Sequence, residues 1–120
     1  VCLQEVAPVS FEDDFAFMKD DLGYDGAEMY KKGRFRPATF WKTDRCNLAA
    51  PPVHRDRVLL TRFQLNNRQD DELNKSNGEI QEEKGRNWHV LNCHLQAGKQ
   101  GGRRLRQIVD GVSAVVKLGK

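Results

Sequence analysis

Two polar side chains, Asn92 and His94, lie two positions apart in the apolar segment 88–95. In a β-strand this spacing places both side chains on the same face of the sheet. They are near the carboxyl end of the segment, where α/β folds commonly bind their ligands. An amide and an imidazole side by side can hold a phosphate oxygen and donate a proton near neutral pH. The spacing fits equally well two hydrogen-bonded polar residues that only end a strand.

Glu5 is a carboxylate within the apolar, β-prone segment 1–6. Burying a carboxylate costs free energy unless the group is paired or bound to a metal ion. Glu5 is therefore a candidate metal ligand. The alternative is a carboxylate that simply reaches solvent at the end of its strand.

Basic residues crowd the segment 99–106, where the sequence predicts the start of a helix. The helix macrodipole disfavours positive charge at an N-terminus. The arrangement becomes favourable when an anion binds there to backbone N–H groups and arginine forks. Lys99, Arg103 and Arg104 are therefore candidate phosphate contacts, and a solvated basic face is the alternative.

Composition places the chain among ordinary globular domains, since its 120 residues are 38% hydrophobic and 31% charged, with a formal net charge of +3. No apolar run approaches the roughly 18 residues that a membrane span requires. The widely spaced Cys2, Cys46 and Cys93 form neither a closed disulfide set nor a paired zinc motif. We expect reduced cysteines, no membrane partner and an intracellular location, cytoplasmic or nuclear.

Periodicity predicts two helices. The first starts at an N-cap, Ser10, and ends at Gly23, with one apolar face made of Phe11, Phe15, Met18 and Leu22. The second follows a flexible turn at 98–102, and its predicted buried stripe consists of Leu105, Ile108, Val109, Val112 and Val115.

Alternation and β-propensity predict strands at residues 1–6, 27–32, 37–42, 57–65 and 88–95, with the first in the interior of its sheet and a turn at Gly33. Residues 44–52 are predicted to be irregular and residues 66–86 to form a long polar loop. The order of these elements indicates an α/β fold in which helices cover the sheets.

Several segments match one family in order and spacing. They are VCLQEV at 1–6, LGYDG at 22–26, ATFWK at 38–42, NCHL at 92–95, and the basic turn and helix at 96–107. Together they resemble the endonuclease/exonuclease/phosphatase superfamily and, within it, the deadenylase-like, nocturnin-like branch. The match covers nearly the whole chain.

This resemblance implies a partial two-sheet β-sandwich with flanking helices, half of a four-layer α/β/β/α domain. It implies hydrolysis assisted by Mg²⁺ (or Mn²⁺) on RNA 3′ ends or a phosphorylated nucleotide. By the same resemblance Glu5 is the metal ligand, Asn92 and His94 are the catalytic contacts to the scissile phosphate, and the substrate-binding residues are Lys99, Arg103 and Arg104.

Some family features are missing. Arg36-Pro37 stands where the family has Asp-Gly, Gln96 stands where it has lysine, and its G-D-x-N and S-D-H motifs do not occur. We therefore expect residues 1–120 to be a single incomplete domain, inactive alone, that needs its missing half. Open sheet edges would favour self-association. The alternatives are a non-catalytic RNA- or protein-binding module that retains the fold, and an unrelated α/β interaction domain.

Overall fold

Two antiparallel three-stranded sheets and a C-terminal helix make up an α/β fold, as the order of predicted elements indicated. The computed structural model describes residues 1–29, 36–66 and 87–118. The elements are β1 (Cys2–Val6), α1 (Phe11–Asp14), α2 (Ala16–Asp20), β2 (Gly26–Met29), β3 (Arg36–Trp41), β4 (Cys46–Arg55), β5 (Val58–Leu65), β6 (Asn87–Cys93) and α3 (Gly101–Leu118). The turn predicted at Gly33 and the loop predicted at 66–86, except Asn66, lie outside the described residues.

The first sheet has the strand order β1-β3-β2, so β3 is its central strand. Its core consists of Val6, Phe11, Met18, Met29, Ala38 and Phe40. Among the described strands β1 lies at an edge, and Cys2, Gln4 and Glu5 are exposed. The strand predicted at 1–6 is confirmed as β1. Its predicted place in the interior of the sheet is wrong, because β1 is an edge strand among the described residues.

The predicted first helix is broken into α1 and α2 at Phe15. The Ser10 hydroxyl bonds to the Asp14 carboxylate instead of capping a backbone N–H group. Gly23 ends the segment as predicted, with a φ of 70° that favours glycine. Leu22 is exposed, so the predicted apolar face is shorter than its periodicity indicated.

The second sheet has the order β4-β5-β6, and the central β5 buries Val58, Leu59, Leu60 and Thr61 almost completely. Residues 44–52 are not irregular throughout, because β4 begins at Cys46 and pairs with β5. The strand β4 contains Pro51 and Pro52. Proline is tolerated at the edge of a sheet and at irregularities of the strand pairing. Among the described strands β4 is an edge strand, and its pairing with β5 has register shifts.

The predicted buried stripe of α3 is wrong. Four of its five residues are exposed, namely Leu105, Ile108, Val109 and Val112. The helix instead buries Gln107, Gly111 and Ala114. Small residues allow a close approach to the second sheet: a Cβ at Gly111 would lie 3.0 Å from Leu91 Cδ2. No helix in the described part of the chain is long and apolar enough to span a membrane.

Gly26 provides a test of the packing between the sheets. It pairs with Trp41, and a Cβ at Gly26 would lie 2.2 Å from the indole Cε2 atom. The Trp41 ring cannot move freely because it packs against Phe63 of the second sheet, with centroids 5.2 Å apart. We expect Gly26→Ala to lower the free energy of unfolding by about 1–3 kcal/mol, measured by urea denaturation.

The matched control is Gly102→Ala, because no atom lies within 4 Å of a Cβ built there. This change should leave stability unchanged or raise it slightly through higher helix propensity. Equal stability of Gly26→Ala and the wild-type chain would contradict the described position of the Trp41 ring.

Candidate functional site

The Asn92 amide joins the two sheets. Gln4 Nε2 donates a hydrogen bond of 2.8 Å to Asn92 Oδ1. Asn92 Nδ2 donates to the carbonyl oxygens of Leu3 and Ala38, at 3.0 and 2.8 Å, and lies 3.3 Å from Thr39 Oγ1. The residue is only 2% exposed. Asn92 therefore ties β6 to both β1 and β3, and its polar atoms are already hydrogen-bonded inside the protein.

A bulge in β1 positions Glu5. The register between β1 and β3 shifts between Leu3 and Val6, so two residues of β1 oppose the single residue Pro37. Proline has no N–H group to donate to the ladder, which favours an irregularity opposite it. Glu5 has a φ of 57°, a conformation that costs free energy in a residue with a side chain. Such bulges often redirect a side chain at a functional site.

The redirected Glu5 carboxylate meets His94. Glu5 Oε1 lies 3.1 Å from His94 Nε2, and the side chains are 66% and 23% exposed. His94 follows the last residue of β6, and its backbone N–H donates to the Arg57 carbonyl at 2.9 Å. His94 Nδ1 is buried without a hydrogen-bond partner among the described residues. The result is an accessible carboxylate–imidazole pair at one end of the two sheets.

The basic turn before α3 is largely held by the protein itself. Arg104 Nη1 donates to the carbonyl oxygens of Gln96 and Gly98, at 3.2 and 2.6 Å. Arg103 Nη2 lies 3.2 Å from Asp56 Oδ2. Lys99 is exposed to solvent. The structure therefore uses Arg103 and Arg104 to position the turn that follows His94, and their phosphate contacts stay a prediction.

Gln107 is a buried polar residue that the sequence interpretation missed. Its Oε1 accepts the Gln96 N–H at 3.0 Å, and its Nε2 donates to Asp56 Oδ2 at 2.8 Å. This hydrogen bond, with that from Arg103, lowers the pKa of the Asp56 carboxyl below its ordinary value. Gln107 thus links α3, the turn after β6 and the β4–β5 hairpin. The apolar residues of α3 lie on another face of the helix, and their periodicity predicted that this other face is buried. The apolar pattern therefore could not identify Gln107 as a buried residue.

The metal-binding capacity of the site is limited. Within residues 1–29, 36–66 and 87–118, no group of three or more His, Cys, Asp or Glu side chains could hold a metal ion. Glu5 supplies one exposed carboxylate, which fits Mg²⁺ because this ion often takes one or two carboxylates and keeps several waters. His54 and Glu28 form a separate pair, with 2.8 Å between Nε2 and Oε1.

Comparisons with protein-family models, curated proteins and solved structures found no match for this chain. Of the predicted site residues, the structure brings Glu5, Asn92 and His94 to the contact between β1 and β6. It places Lys99, Arg103 and Arg104 around the start of α3.

The bonding of Asn92 predicts a large loss of stability in Asn92→Leu. This change fills similar space but removes the donors to two carbonyl oxygens and the acceptor for Gln4. We expect the free energy of unfolding to fall by about 2–3 kcal/mol in urea denaturation. The matched control is Asn47→Leu, which removes an exposed hydrogen bond to Asn66 and should change stability by under about 0.5 kcal/mol. Similar effects of the two changes would refute the inter-sheet role.

The lowered pKa of Asp56 predicts a pH-dependent effect. A carboxyl with a lower pKa when folded stabilises the protein above its unfolded pKa of about 3.9, and this contribution is lost as pH falls through the folded pKa. Asp56→Asn should therefore reduce stability at pH 7 and converge on the wild-type chain in strong acid. A urea series from pH 7 downwards measures this. Asp44→Asn, which removes a surface contact to Arg45, is the control. A constant difference at all pH values would contradict the assignment.

Proposed function

We propose that this chain carries part of the site of a Mg²⁺-dependent hydrolase of phosphate esters, with RNA 3′ ends or a phosphorylated nucleotide as substrate. The observation that carries the proposal is the Glu5–His94 pair, formed by a strained residue on a bulge and by a histidine just after β6. Strained backbone of this kind is concentrated at active sites. Mn²⁺ would serve in place of Mg²⁺.

Three residues of the chain, Glu5, His94 and Lys99, would have direct roles in the hydrolysis. Glu5 offers a carboxylate oxygen to the metal ion from an exposed position. His94 Nε2, which contacts Glu5 in the described structure, would donate a hydrogen bond to an oxygen of the scissile phosphate. When bound, Mg²⁺ would polarise a phosphate oxygen and stabilise the charge that develops on it. Lys99, exposed beside the start of α3, would attract the anionic substrate.

Asn92 would contribute mainly by positioning Glu5 relative to His94. It is buried and hydrogen-bonded, so in the described conformation it holds β1 against β6 and keeps Glu5 beside His94. A direct contact between Asn92 and the scissile phosphate stays a prediction. So do the contacts of Arg103 and Arg104, whose guanidinium groups hold Asp56 and two carbonyl oxygens.

We also propose that the two sheets belong to a four-layer α/β/β/α domain of the endonuclease/exonuclease/phosphatase superfamily. The support is the ordered series of motifs together with the side-by-side position of their polar residues, Glu5, Asn92 and His94. The further ligands and the general base that this resemblance implies would come from outside these residues. The chain alone should then be inactive, with its missing half or a second copy covering its open strands.

A non-catalytic RNA- or protein-binding module is the second candidate. One observation favours it: three of the residues expected to contact phosphate, Asn92, Arg103 and Arg104, are engaged in internal bonds. In such a module Glu5 and His94 would be an ion pair that serves only the fold. Metal binding separates the two functions, because only the hydrolase requires it.

The hydrolase proposal predicts that Mn²⁺ binds at Glu5, close to His94. Titration of the chain with Mn²⁺ should selectively broaden the NMR resonances of Glu5, Asn92 and His94. Glu5→Gln should abolish this broadening without unfolding the domain, since the Glu5 side chain is 66% exposed. Glu12→Gln removes an exposed carboxylate of α1 and should leave the broadening unchanged. Broadening that survives Glu5→Gln would eliminate the metal assignment and favour the binding module.

A further inference from the structure

A cleft of about 330 Å³ lies at the same end of the sheets as Glu5 and His94, and Arg36, His54, Arg55 and Asp56 line it. This volume is within the range of sites that bind small molecules, roughly 300–1,000 Å³. Its wall is formed by β3 of the first sheet and by the β4–β5 hairpin of the second sheet. The cleft therefore spans the junction between the two sheets.

Two connections place the cleft beside the Glu5–His94 pair. Arg36 is the register partner of Val6, the residue that follows Glu5 in β1. The Arg57 carbonyl, next to Asp56 in the hairpin, accepts the His94 N–H at 2.9 Å. Each member of the pair is thus attached to one wall of the cleft through the backbone.

Among the described residues, Asp56 in the lining of the cleft and Glu28 near it each have a basic partner. The Asp56 carboxylate is held by Arg103 and Gln107, at 3.2 and 2.8 Å. Glu28 Oε1 lies 2.8 Å from His54 Nε2, which fixes the hairpin against the first sheet. The lining contains two arginines, Arg36 and Arg55, and one carboxylate, Asp56, so its formal charge is positive.

Arg55 retains most of its hydrogen-bonding capacity. It is exposed, and its Nη1 donates one hydrogen bond of 3.2 Å to the His54 carbonyl. A guanidinium group has five N–H donors arranged in a planar fork that matches the oxygens of a phosphate. Arg36 of the first sheet and Arg55 of the second sheet line the same cleft, so a phosphate group bound there would lie between arginines of the two sheets.

From this geometry we propose that the cleft binds a second phosphate group of the substrate, separate from the one that would be cleaved beside Glu5 and His94. Arg36 and Arg55 donate to its oxygens. The inference rests on the proposed function and narrows the substrate to compounds that carry at least two phosphate groups. A substrate with one phosphate would leave the cleft unfilled and would bind more weakly.

Affinities for adenosine 3′,5′-bisphosphate and adenosine 5′-monophosphate test the proposal, measured by calorimetry on the 120-residue chain in the presence of Mn²⁺. The wild-type chain should bind the bisphosphate at least tenfold more tightly. Arg36→Gln and Arg55→Gln should each remove that preference and leave affinity for the monophosphate within about twofold. Loss of one charge-assisted arginine–phosphate interaction is sufficient for a tenfold effect, which corresponds to about 1.4 kcal/mol.

The control is Arg45→Gln, the same change of charge at the opposite end of β4 and roughly 30 Å away along the strand. It should retain the wild-type preference. Arg55 is exposed, so Arg55→Gln keeps the test valid if Arg36→Gln fails to fold. The same preference in Arg55→Gln as in Arg45→Gln, or no preference in the wild-type chain, would overturn the inference.

The two proposals fail in different ways. Loss of the bisphosphate preference in the arginine variants, combined with unchanged Mn²⁺ binding in Glu5→Gln, would support the phosphate cleft and remove the hydrolase assignment. Conversely, Mn²⁺ binding that requires Glu5, together with an unchanged preference in Arg55→Gln, would keep the hydrolase and overturn the second phosphate site.

Discussion

The hydrogen bonds of one buried amide, Asn92, hold the two sheets in their relative position. Unpaired polar groups inside a protein cost free energy, so the carbonyl oxygens of Leu3 and Ala38 favour one placement of β6 against β1 and β3. Apolar contacts alone would tolerate small sliding movements between the sheets. The hydrogen bonds of the Asn92 amide are directional, so such movements would break them. The position of Glu5 relative to His94 follows from this constraint, because β1 and β6 carry them.

Backbone strain is the second determinant of the candidate site. Pro37 cannot donate a hydrogen bond to β1, and the opposing residues form a bulge in which Glu5 takes a positive φ. A regular strand would have aimed its side chains alternately to the two faces and given Glu5 a different direction. The cost of this conformation is offset by the packing and hydrogen bonds around it, which include those of Asn92. Removing the bulge would relieve the strain and separate the carboxylate from the imidazole.

A second polar network supports the other side of the site. Asp56 and Gln107 join the β4–β5 hairpin to α3, and Gln107 also fixes the turn after β6. The hairpin in turn accepts the His94 N–H and forms one wall of the arginine-lined cleft. The candidate metal ligand, the imidazole and the cleft are therefore parts of one supported end of the fold. Preorganisation of this kind is what a site for an anionic substrate requires, since charged groups must be held against their mutual repulsion.

Local patterns in the sequence determined the α/β class, most of β1, β3, β5 and β6, and the end of the first helical segment at Gly23. These features depend on side-chain alternation and on backbone preferences, which neighbouring residues encode. Spacing also identified Asn92 and His94 as candidate site residues, and a carboxylate within an apolar segment identified Glu5.

Only the tertiary structure decided what those residues face. The strand β4 was missed because its prolines are tolerated only at the edge of a sheet, and neighbouring residues do not reveal an edge. The buried face of α3 was missed because close contact with the second sheet selects small residues such as Gly111 over larger apolar ones. The internal bonding of Asn92 and the Glu5–His94 contact join segments far apart in the chain. Periodicity assigns a residue to a face, whereas its partner depends on which surfaces come together.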